Sequence, residues 1–234
     1  MSTTTTKIIA VQENSLIDAS YKITLNEKRL LLLAVSKLES AVFLSAEERK
    51  DKILTITAED WSHVYGDDSN AYRALSTAAG TFLKKTVKIN MRHGHIKEFT
   101  WLQEIDYFKH QGYIEIKFSD AAMTRLVGLY QDFTKLNLLD VARFTSAYSV
   151  RLYELIQQFA KTGFRQISVE DFRFALDCTD IYQQMSELKR RVIMPALDEI
   201  NNKSPFLVEC KDIKKGRQIV AFKFIFEKQE SFTF

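Results

Sequence analysis

The sequence SELKRRVIMPALDEINN, residues 186–202, has an apolar residue at every fourth position. These positions are Leu188, Val192, Ala196 and Ile200. Such spacing predicts an α-helix that buries one face, and the neighbouring Ile193 and Leu197 widen that face. Ser186 is expected to cap the N-terminus, because its hydroxyl can accept a backbone N–H.

Three consecutive cations, Lys189, Arg190 and Arg191, fall in the predicted first turn of this helix. A helix N-terminus carries partial positive charge, so each cation there costs about 0.3–1 kcal/mol. A polyanion binding at that end would offset the cost. Helical phase places Arg190, Arg191 and Met194 opposite the apolar face. Lys189 lies nearer to it and must extend outward. We interpret the stretch as a recognition helix for the DNA major groove; the alternative is an ordinary amphipathic helix with a solvated basic end.

Pro195 lies within the predicted helix. It has no N–H to bond the C=O of Arg191, and its ring clashes with that carbonyl, which costs about 3 kcal/mol in a regular helix. We therefore expect a kink between Arg191 and Pro195. The kink would aim the basic turn at a groove while the later half packs in the core.

Two segments of alternating polarity, residues 206–211 and 218–226, follow the helix. They predict antiparallel strands, and Gly216 can supply the positive φ that a tight hairpin requires. The hairpin carries four more cations: Lys211, Lys214, Lys215 and Arg217. Lysines at a hairpin tip suit phosphate contacts, which add affinity without reading sequence. The alternative is a solubilising turn.

The chain repeats one order of segments. Residues 56–61, ITAEDW, parallel residues 167–172, ISVEDF, and each predicts a short strand leading into a capped helix. A further helix and a β-hairpin follow in both halves. We therefore predict an α+β fold of two tandem winged-helix domains related by a pseudo-repeat. The predicted domains are residues 13–138 and 139–234, joined through a helical connection over residues 119–140.

The third helix of the first domain is predicted over residues 70–85 and carries a smaller basic set. Its cations are Arg73, Lys84 and Lys85. Small residues, among them Gly80, share that surface and allow a backbone or another subunit to approach closely. DNA contact and dimer contact are equally compatible with this surface.

Arg151 and Glu154 lie three residues apart in a helix predicted over residues 142–161. We interpret them as a local ion pair on the flank of that helix. The alternative places the helix start, with Ser146, against a phosphate group bound by free backbone N–H groups.

Composition narrows the class of protein. The chain has 234 residues, a formal net charge of +3 and 2 cysteines. No apolar run reaches the roughly 18 residues of a membrane span. The Thr-rich residues 1–12, expected to be frayed, lack the core of a signal peptide, so we expect a cytoplasmic protein. Cys178 and Cys210 have no histidine at ligand spacing, and we expect neither a metal nor a cofactor.

The segment His93-Gly94-His95 suggests an enzymatic alternative. Rolling-circle nicking enzymes bind a metal through two histidines that flank a hydrophobic residue on a strand, and a tyrosine attacks the phosphate. Here the middle residue is glycine, which indicates a turn, and Tyr107 would have to serve as the nucleophile. No GxxxxGK loop of an ATPase is present either. We therefore expect no enzymatic activity.

Three segments resemble the replication initiator family of iteron-containing plasmids. They are NSLIDA at residues 14–19, SAYSVRLYEL at residues 146–155 and LKRRVIMPALDEIN at residues 188–201. The resemblance implies two winged-helix domains and a recognition helix at residues 186–202. It also implies binding of repeated origin sequences in double-stranded DNA by monomers, and repression of the protein's own gene by homodimers that pair chiefly through the first domain. Host replication proteins and chaperones are further partners that the resemblance implies.

We therefore expect a non-catalytic, sequence-specific DNA-binding initiator. A protein-interaction scaffold that recruits host replication factors is the alternative from another class, and a salt-titrated binding assay on duplex DNA separates the two. A metal-dependent nicking enzyme is the third alternative, which incubation of supercoiled plasmid with a divalent metal would reveal.

Overall fold

The computed structural model describes residues 7–38, 45–66, 68–91, 95–127 and 133–229. In chain order the elements are β1 Ile9–Glu13, α1 Asn14–Ile17, α2 Leu25–Ser36, α3 Ala46–Lys50, β2 Ile53–Thr57, α4 Ala58–Tyr65, α5 Ala71–Phe82, β3 Thr86–Asn90, β4 Ile96–Thr100, β5 Leu102–Phe108, a 3₁₀ turn Lys109–Gln111, β6 Tyr113–Phe118, α6 Asp120–Val127, β7 Phe133–Asn137, α7 Leu138–Val141, α8 Ala147–Gln157, β8 Phe164–Ser168, α9 Val169–Ala175, α10 Met185–Leu188, a π turn Lys189–Ile193, α11 Met194–Lys203, β9 Phe206–Lys215 and β10 Gln218–Lys228. Contacts divide these elements between two compact units.

The first unit contains the described residues of 7–13, 23–86 and 99–143. Its α2 begins with a capping box, in which the Thr24 hydroxyl accepts from the N–H of Glu27 and the Glu27 carboxylate accepts from the N–H of Thr24. A three-stranded antiparallel sheet has the order β2-β6-β5. Phe82 of α5 stacks on Trp101 with ring centroids 6.0 Å apart, and both side chains are fully buried. This pair forms part of the core between α5 and the sheet.

The second unit contains residues 14–22, the described residues of 87–98, and the described residues from 144 onward. Its sheet has the order β8-β10-β9, and the strands are again antiparallel. Phe172 of α9 packs on Phe222 and Phe224 of β10, with centroids 5.2 and 5.8 Å apart. The aromatic face of β10 therefore forms the core of this unit.

The two sheets repeat one topology. In each, a short first strand pairs with the last strand, which also pairs with the middle one. β2 and β8 are both five residues long and bury the same alternate positions. Each leads into a helix whose N-cap hydroxyl, from Thr57 or Ser168, accepts a backbone N–H three residues later. The predicted pseudo-repeat of two winged helices is confirmed in this order of elements.

Two predicted segments were wrong. Residues 9–12 belong to a strand rather than a frayed end, because β1 pairs antiparallel with β7 from Ile9↔Asn137 to Glu13↔Phe133. The connection over residues 119–140 is not one helix, since α6 ends at Val127 and β7 follows within it. Residues 128–132 lie outside the described residues.

The units divide the chain differently from the predicted domains 13–138 and 139–234. Residues 14–22 and the described residues of 87–98 belong to the second unit, and the first unit extends to residue 143. Within the second unit, Ser20 and Lys88 exchange backbone hydrogen bonds of 2.9 and 2.8 Å. Two pieces of early sequence therefore help to build the unit that carries the predicted recognition helix.

Candidate nucleic-acid interface

The predicted recognition helix begins at Met185 in the structure. Its N-cap is Gln184, which makes no side-chain cap hydrogen bond, so the prediction of Ser186 as N-cap was wrong. The predicted apolar face is confirmed for all of its residues except Leu197, which is half-buried. The buried members are Leu188, Val192, Ala196 and Ile200, with Ile193 beside them. The helix is thus fixed to the unit along one side and presents the other.

The irregularity predicted near Pro195 takes the form of a π turn over Lys189–Ile193. The N–H of Met194 donates to the C=O of Lys189, five residues back, and Pro195 follows in the first turn of α11. A proline at that position needs no backbone donor and has a φ suited to a helix start. The structure thus has a widened turn at the position where the sequence predicted a kink.

The exposed face of this helix carries Arg190, Arg191 and Met194. The Arg190 side chain is 66% exposed, and its guanidinium lies 3.9 Å from the Glu187 carboxylate, a weak surface pair. Arg191 is also exposed, and Met194 is 63% exposed. This face therefore offers an apolar contact from Met194 and two planar groups of donors from Arg190 and Arg191.

Lys189 differs from its two neighbours. Its ammonium forms an ion pair with the Asp212 carboxylate of β9, and its side chain is only 32% exposed. The expected outward extension of this side chain was wrong. The ion pair instead joins the helix to the hairpin, so Arg190 and Arg191 are the members of the triplet that face outward.

The hairpin is longer than the sequence predicted. β9 extends to Lys215 and β10 begins at Gln218, so Gly216 and Arg217 alone form the loop. Gly216 has φ 63°, which the first loop residue of a tight hairpin requires. The four predicted cations are all exposed: Lys211, Lys214, Lys215 and Arg217. Of these, Lys211 lies 3.3 Å from the exposed Glu209 carboxylate.

A groove of about 780 Å³ brings the helix start and the hairpin tip together in the second unit. Met185 of α10, Arg217 of the loop and Asn90 of β3 are among the residues that line it. The same unit therefore presents a basic hairpin tip beside the beginning of the predicted recognition helix.

Sequence reasoning missed Arg173, which also lines this groove. Its guanidinium donates to four backbone carbonyls of the loop before α10, at Cys178, Ile181, Tyr182 and Gln183, with lengths from 2.8 to 3.2 Å. Asp177 and Tyr182 in this loop have φ of 50° and 53°. These acceptors are backbone carbonyls, which every residue has. The residue types in the sequence therefore do not predict the hydrogen bonds of Arg173.

Glu199 anchors the later half of the helix. Its carboxylate accepts from the N–H and hydroxyl of Thr145 at 2.8 and 2.6 Å and from the ammonium of Lys203 at 2.7 Å. Burial disfavours its charged form, but the hydrogen bonds from Lys203 and Thr145 help to outweigh burial, and the pKa of Glu199 is lowered to about 2.

The first unit carries the other predicted cations. Arg73 on α5 and Lys84 are exposed. α5 ends at Phe82, so Lys84 and Lys85 follow the helix instead of closing it. The ammonium of Lys85 lies 3.7 Å from the buried Glu27 carboxylate, so Lys85 is less accessible to a ligand than the other two.

The small residue Gly80 on α5 is covered from within the unit. A Cβ built on it would lie 3.2 Å from the hydroxyl oxygen of Tyr107, on β5. The Tyr107 side chain of the same unit therefore already occupies the space beside Gly80.

Residues 92–94, which include most of the His-Gly-His segment, lie outside the described residues, and His95 is exposed. Within the described ranges, no group of three or more His, Cys, Asp or Glu side chains is placed to hold a metal ion. Cys178 and Cys210 are free thiols, and burial raises the pKa of each to about 11. None of the helices described has the length and hydropathy that crossing a bilayer requires.

Arg151 and Glu154 form the predicted ion pair, with 2.9 Å between guanidinium and carboxylate. The pair is buried rather than on a flank, and Arg151 also donates to the carbonyls of Ile17, Ala19 and Ala175. These bonds fasten residues 14–22 to the second unit.

Comparison with known proteins places the chain in a family. A replication initiation protein of Escherichia coli is 27% identical over 205 residues, which are 85% of this chain and 63% of that protein. The PI protein of Escherichia coli is 26% identical over 255 residues, covering 93% of this chain and 82% of that protein. The crystal structure of Pi initiator protein in complex with iteron DNA matches 97% of this chain and all of that one, with a TM-score of 0.78 and 23% identity, and so shares its fold. Residues 9–157 match the initiator replication protein family domain WH1 and residues 168–226 its domain WH2; the chain belongs to this family of two-winged-helix replication initiators.

Proposed function

We propose that this chain is a plasmid replication initiator that binds directly repeated origin sequences in duplex DNA through its second unit. The observation that carries the proposal is the pair of exposed arginines, Arg190 and Arg191, on a helix whose opposite face is buried. The relative with the shared fold was solved in complex with iteron DNA, which supports the same class of ligand here.

The proposed contacts divide by chemistry. A guanidinium can bond guanine O6 and N7 together in the major groove, so Arg190 and Arg191 suit base reading, and Met194 suits a thymine methyl. Each good pair gives about 1–3 kcal/mol of discrimination. Lys214, Lys215 and Arg217 at the hairpin suit phosphates, which fix register and give salt dependence.

For the first unit we propose a supporting role in DNA contact through Arg73 and Lys84, or pairing with a second copy of the chain. Family membership supports monomers as the initiating form and dimers as repressors of the protein's own gene. It also supports host replication proteins and chaperones as partners. We further propose that the protein acts without cutting DNA.

Footprinting on the DNA that flanks the protein's own gene would identify the bound repeat. Fluorescence anisotropy would then compare a duplex of that repeat with a scrambled duplex over a series of salt concentrations. Arg190→Ala and Arg191→Ala are each expected to weaken binding to the repeat about 5- to 150-fold, with little change on scrambled DNA.

Lys214→Ala and Lys215→Ala are expected to weaken binding to both duplexes alike. The slope of log affinity against log salt concentration should become shallower by about 0.9 for each phosphate that the variant no longer neutralises. Lys228→Ala is the matched control, because Lys228 is an exposed lysine at the other end of the same hairpin. Equal losses on both duplexes for the two arginine variants would contradict their base-reading role. Relaxation of supercoiled plasmid by the protein and Mg²⁺ would instead show strand cleavage.

A further inference from the structure

The π turn over Lys189–Ile193 changes which side chains share a face of the helix. Leu188 and Ile193 are five residues apart, and they are only 0% and 2% exposed. In an α-helix five residues advance about 500°, so the two side chains would point about 140° apart. A π turn closes its hydrogen bond between residues five apart, which brings such a pair into phase. The π turn therefore lets both side chains pack into the same core.

Pro195 excludes a regular α-helix at this position. An α-helix requires a hydrogen bond from residue 195 to the C=O of Arg191, and proline has no N–H and clashes with that carbonyl. The structure instead has the N–H of Met194 bonded to the C=O of Lys189. The backbone is thus widened where the proline ring needs room.

The helix is anchored on both sides of the turn to the same strand, β9. At the turn's beginning, the ammonium of Lys189 pairs with the Asp212 carboxylate. Beyond its end, the Asn201 side chain donates to the C=O of Val208 at 3.1 Å and accepts from its N–H at 2.7 Å. Arg190 and Arg191 lie between these anchors, so the geometry of the turn sets the direction in which they leave the helix.

We propose that Pro195 is a positioning residue for DNA recognition, which holds Arg190 and Arg191 at the angle that base reading requires by imposing the π turn. This inference rests on the proposed function. Return to a regular α-helix would rotate the residues before the turn by about 100° relative to α11, the angle of one residue. The number of cations would not change, so affinity for any duplex would persist while discrimination between sequences would be lost.

The test uses the full chain with two variants, Pro195→Ala and Pro195→Gln, which both restore the backbone N–H. The control is Pro205→Ala, because Pro205 is the other of the two prolines and lies outside the helix. Anisotropy would give the ratio of affinities for the footprinted repeat and a scrambled duplex. We expect both Pro195 variants to lower this ratio at least tenfold, with scrambled binding within about twofold. The melting temperature should fall, because Leu188 and Ile193 would no longer face the same core.

An unchanged ratio in the Pro195 variants, beside a wild type that prefers the repeat, overturns the inference and leaves the proposed function intact. A wild type without preference overturns the proposed function. Crystal structures of the two variants provide a readout that does not depend on DNA. A regular α-helix over residues 185–203 supports the inference, and a retained π turn overturns it.

Discussion

Loss of Arg151 is predicted to destabilise the second unit severely. The Arg151 side chain is 4% exposed and that of Glu154 is fully buried. The guanidinium donates to Glu154 at 2.9 Å, to the carbonyls of Ile17, Ala19 and Ala175 at 2.8–2.9 Å, and to the hydroxyl of Tyr21. Burial raises the pKa of Tyr21 far above its ordinary value, so that hydroxyl stays neutral and Glu154 is the anion that Arg151 balances.

Arg151→Met would keep most of the side-chain volume and remove all of these donors. Removing one partner of a buried ion pair costs about 3–5 kcal/mol, because the other charge remains buried without compensation. We therefore expect the free energy of unfolding to fall by that amount and the melting temperature to fall by more than about 10 °C. Urea unfolding monitored by circular dichroism measures the first quantity and calorimetry the second.

The variant should also release residues 14–22 from the unit. Lys22 is exposed at the end of this segment, so trypsin should cleave after it faster in Arg151→Met than in the wild type. Arg190→Met is the control, since an exposed arginine should change stability by no more than about 0.5 kcal/mol. If Arg151→Met loses less than about 1 kcal/mol and is cleaved no faster after Lys22, the guanidinium does not hold this segment.

Two further predictions concern carboxylates near the candidate interface. Because the pKa of Glu199 is lowered to about 2 by folding, its charged form stabilises the fold fully above the ordinary value near 4.5 and ceases to do so as the pH falls through about 2. Glu199→Gln should therefore lower the free energy of unfolding by about 1–2 kcal/mol at pH 7. In urea unfolding, the difference from wild type should shrink between about pH 5 and pH 2. A difference that stays constant with pH would contradict this prediction. Asp212→Asn should free the ammonium of Lys189 and strengthen binding to the scrambled duplex, with a salt slope steeper by up to about 0.9. Weaker or unchanged binding in the salt titration would show that Lys189 does not reach DNA when released.

The parts of the fold that the sequence predicted well are those with local causes. β2 leads into α4 as the segment ITAEDW at residues 56–61 predicts, because the strand ends at Thr57, whose hydroxyl caps the next helix. The same capping pattern at Ser168 located α9. The hairpin loop followed from Gly216, since a two-residue loop needs the conformation that glycine adopts easily. These signals lie within a few residues of the structure that they specify.

The parts that the sequence predicted poorly depend on partners far along the chain. β1 and β7 are each five residues long and pair across more than 100 residues, so neither alternation is long enough to identify a strand alone. The three-residue spacing between Arg151 and Glu154 predicted their ion pair, which is one of several contacts that the guanidinium makes. The carbonyls that complete its surroundings belong to the backbone, which every sequence provides, so only the folded structure locates them.

The cations of the predicted recognition helix lie farther from its N-terminus than the sequence predicted. With the helix beginning at Met185, the first turn is Met185–Leu188, and the three cations follow it. The field of a helix terminus falls off within the first turn, so these cations carry less penalty than the sequence suggested. Lys189 is moreover paired with Asp212. DNA contact is therefore supported by the exposure of Arg190 and Arg191 in the same unit as a basic hairpin, and it requires no repulsion for a polyanion to relieve.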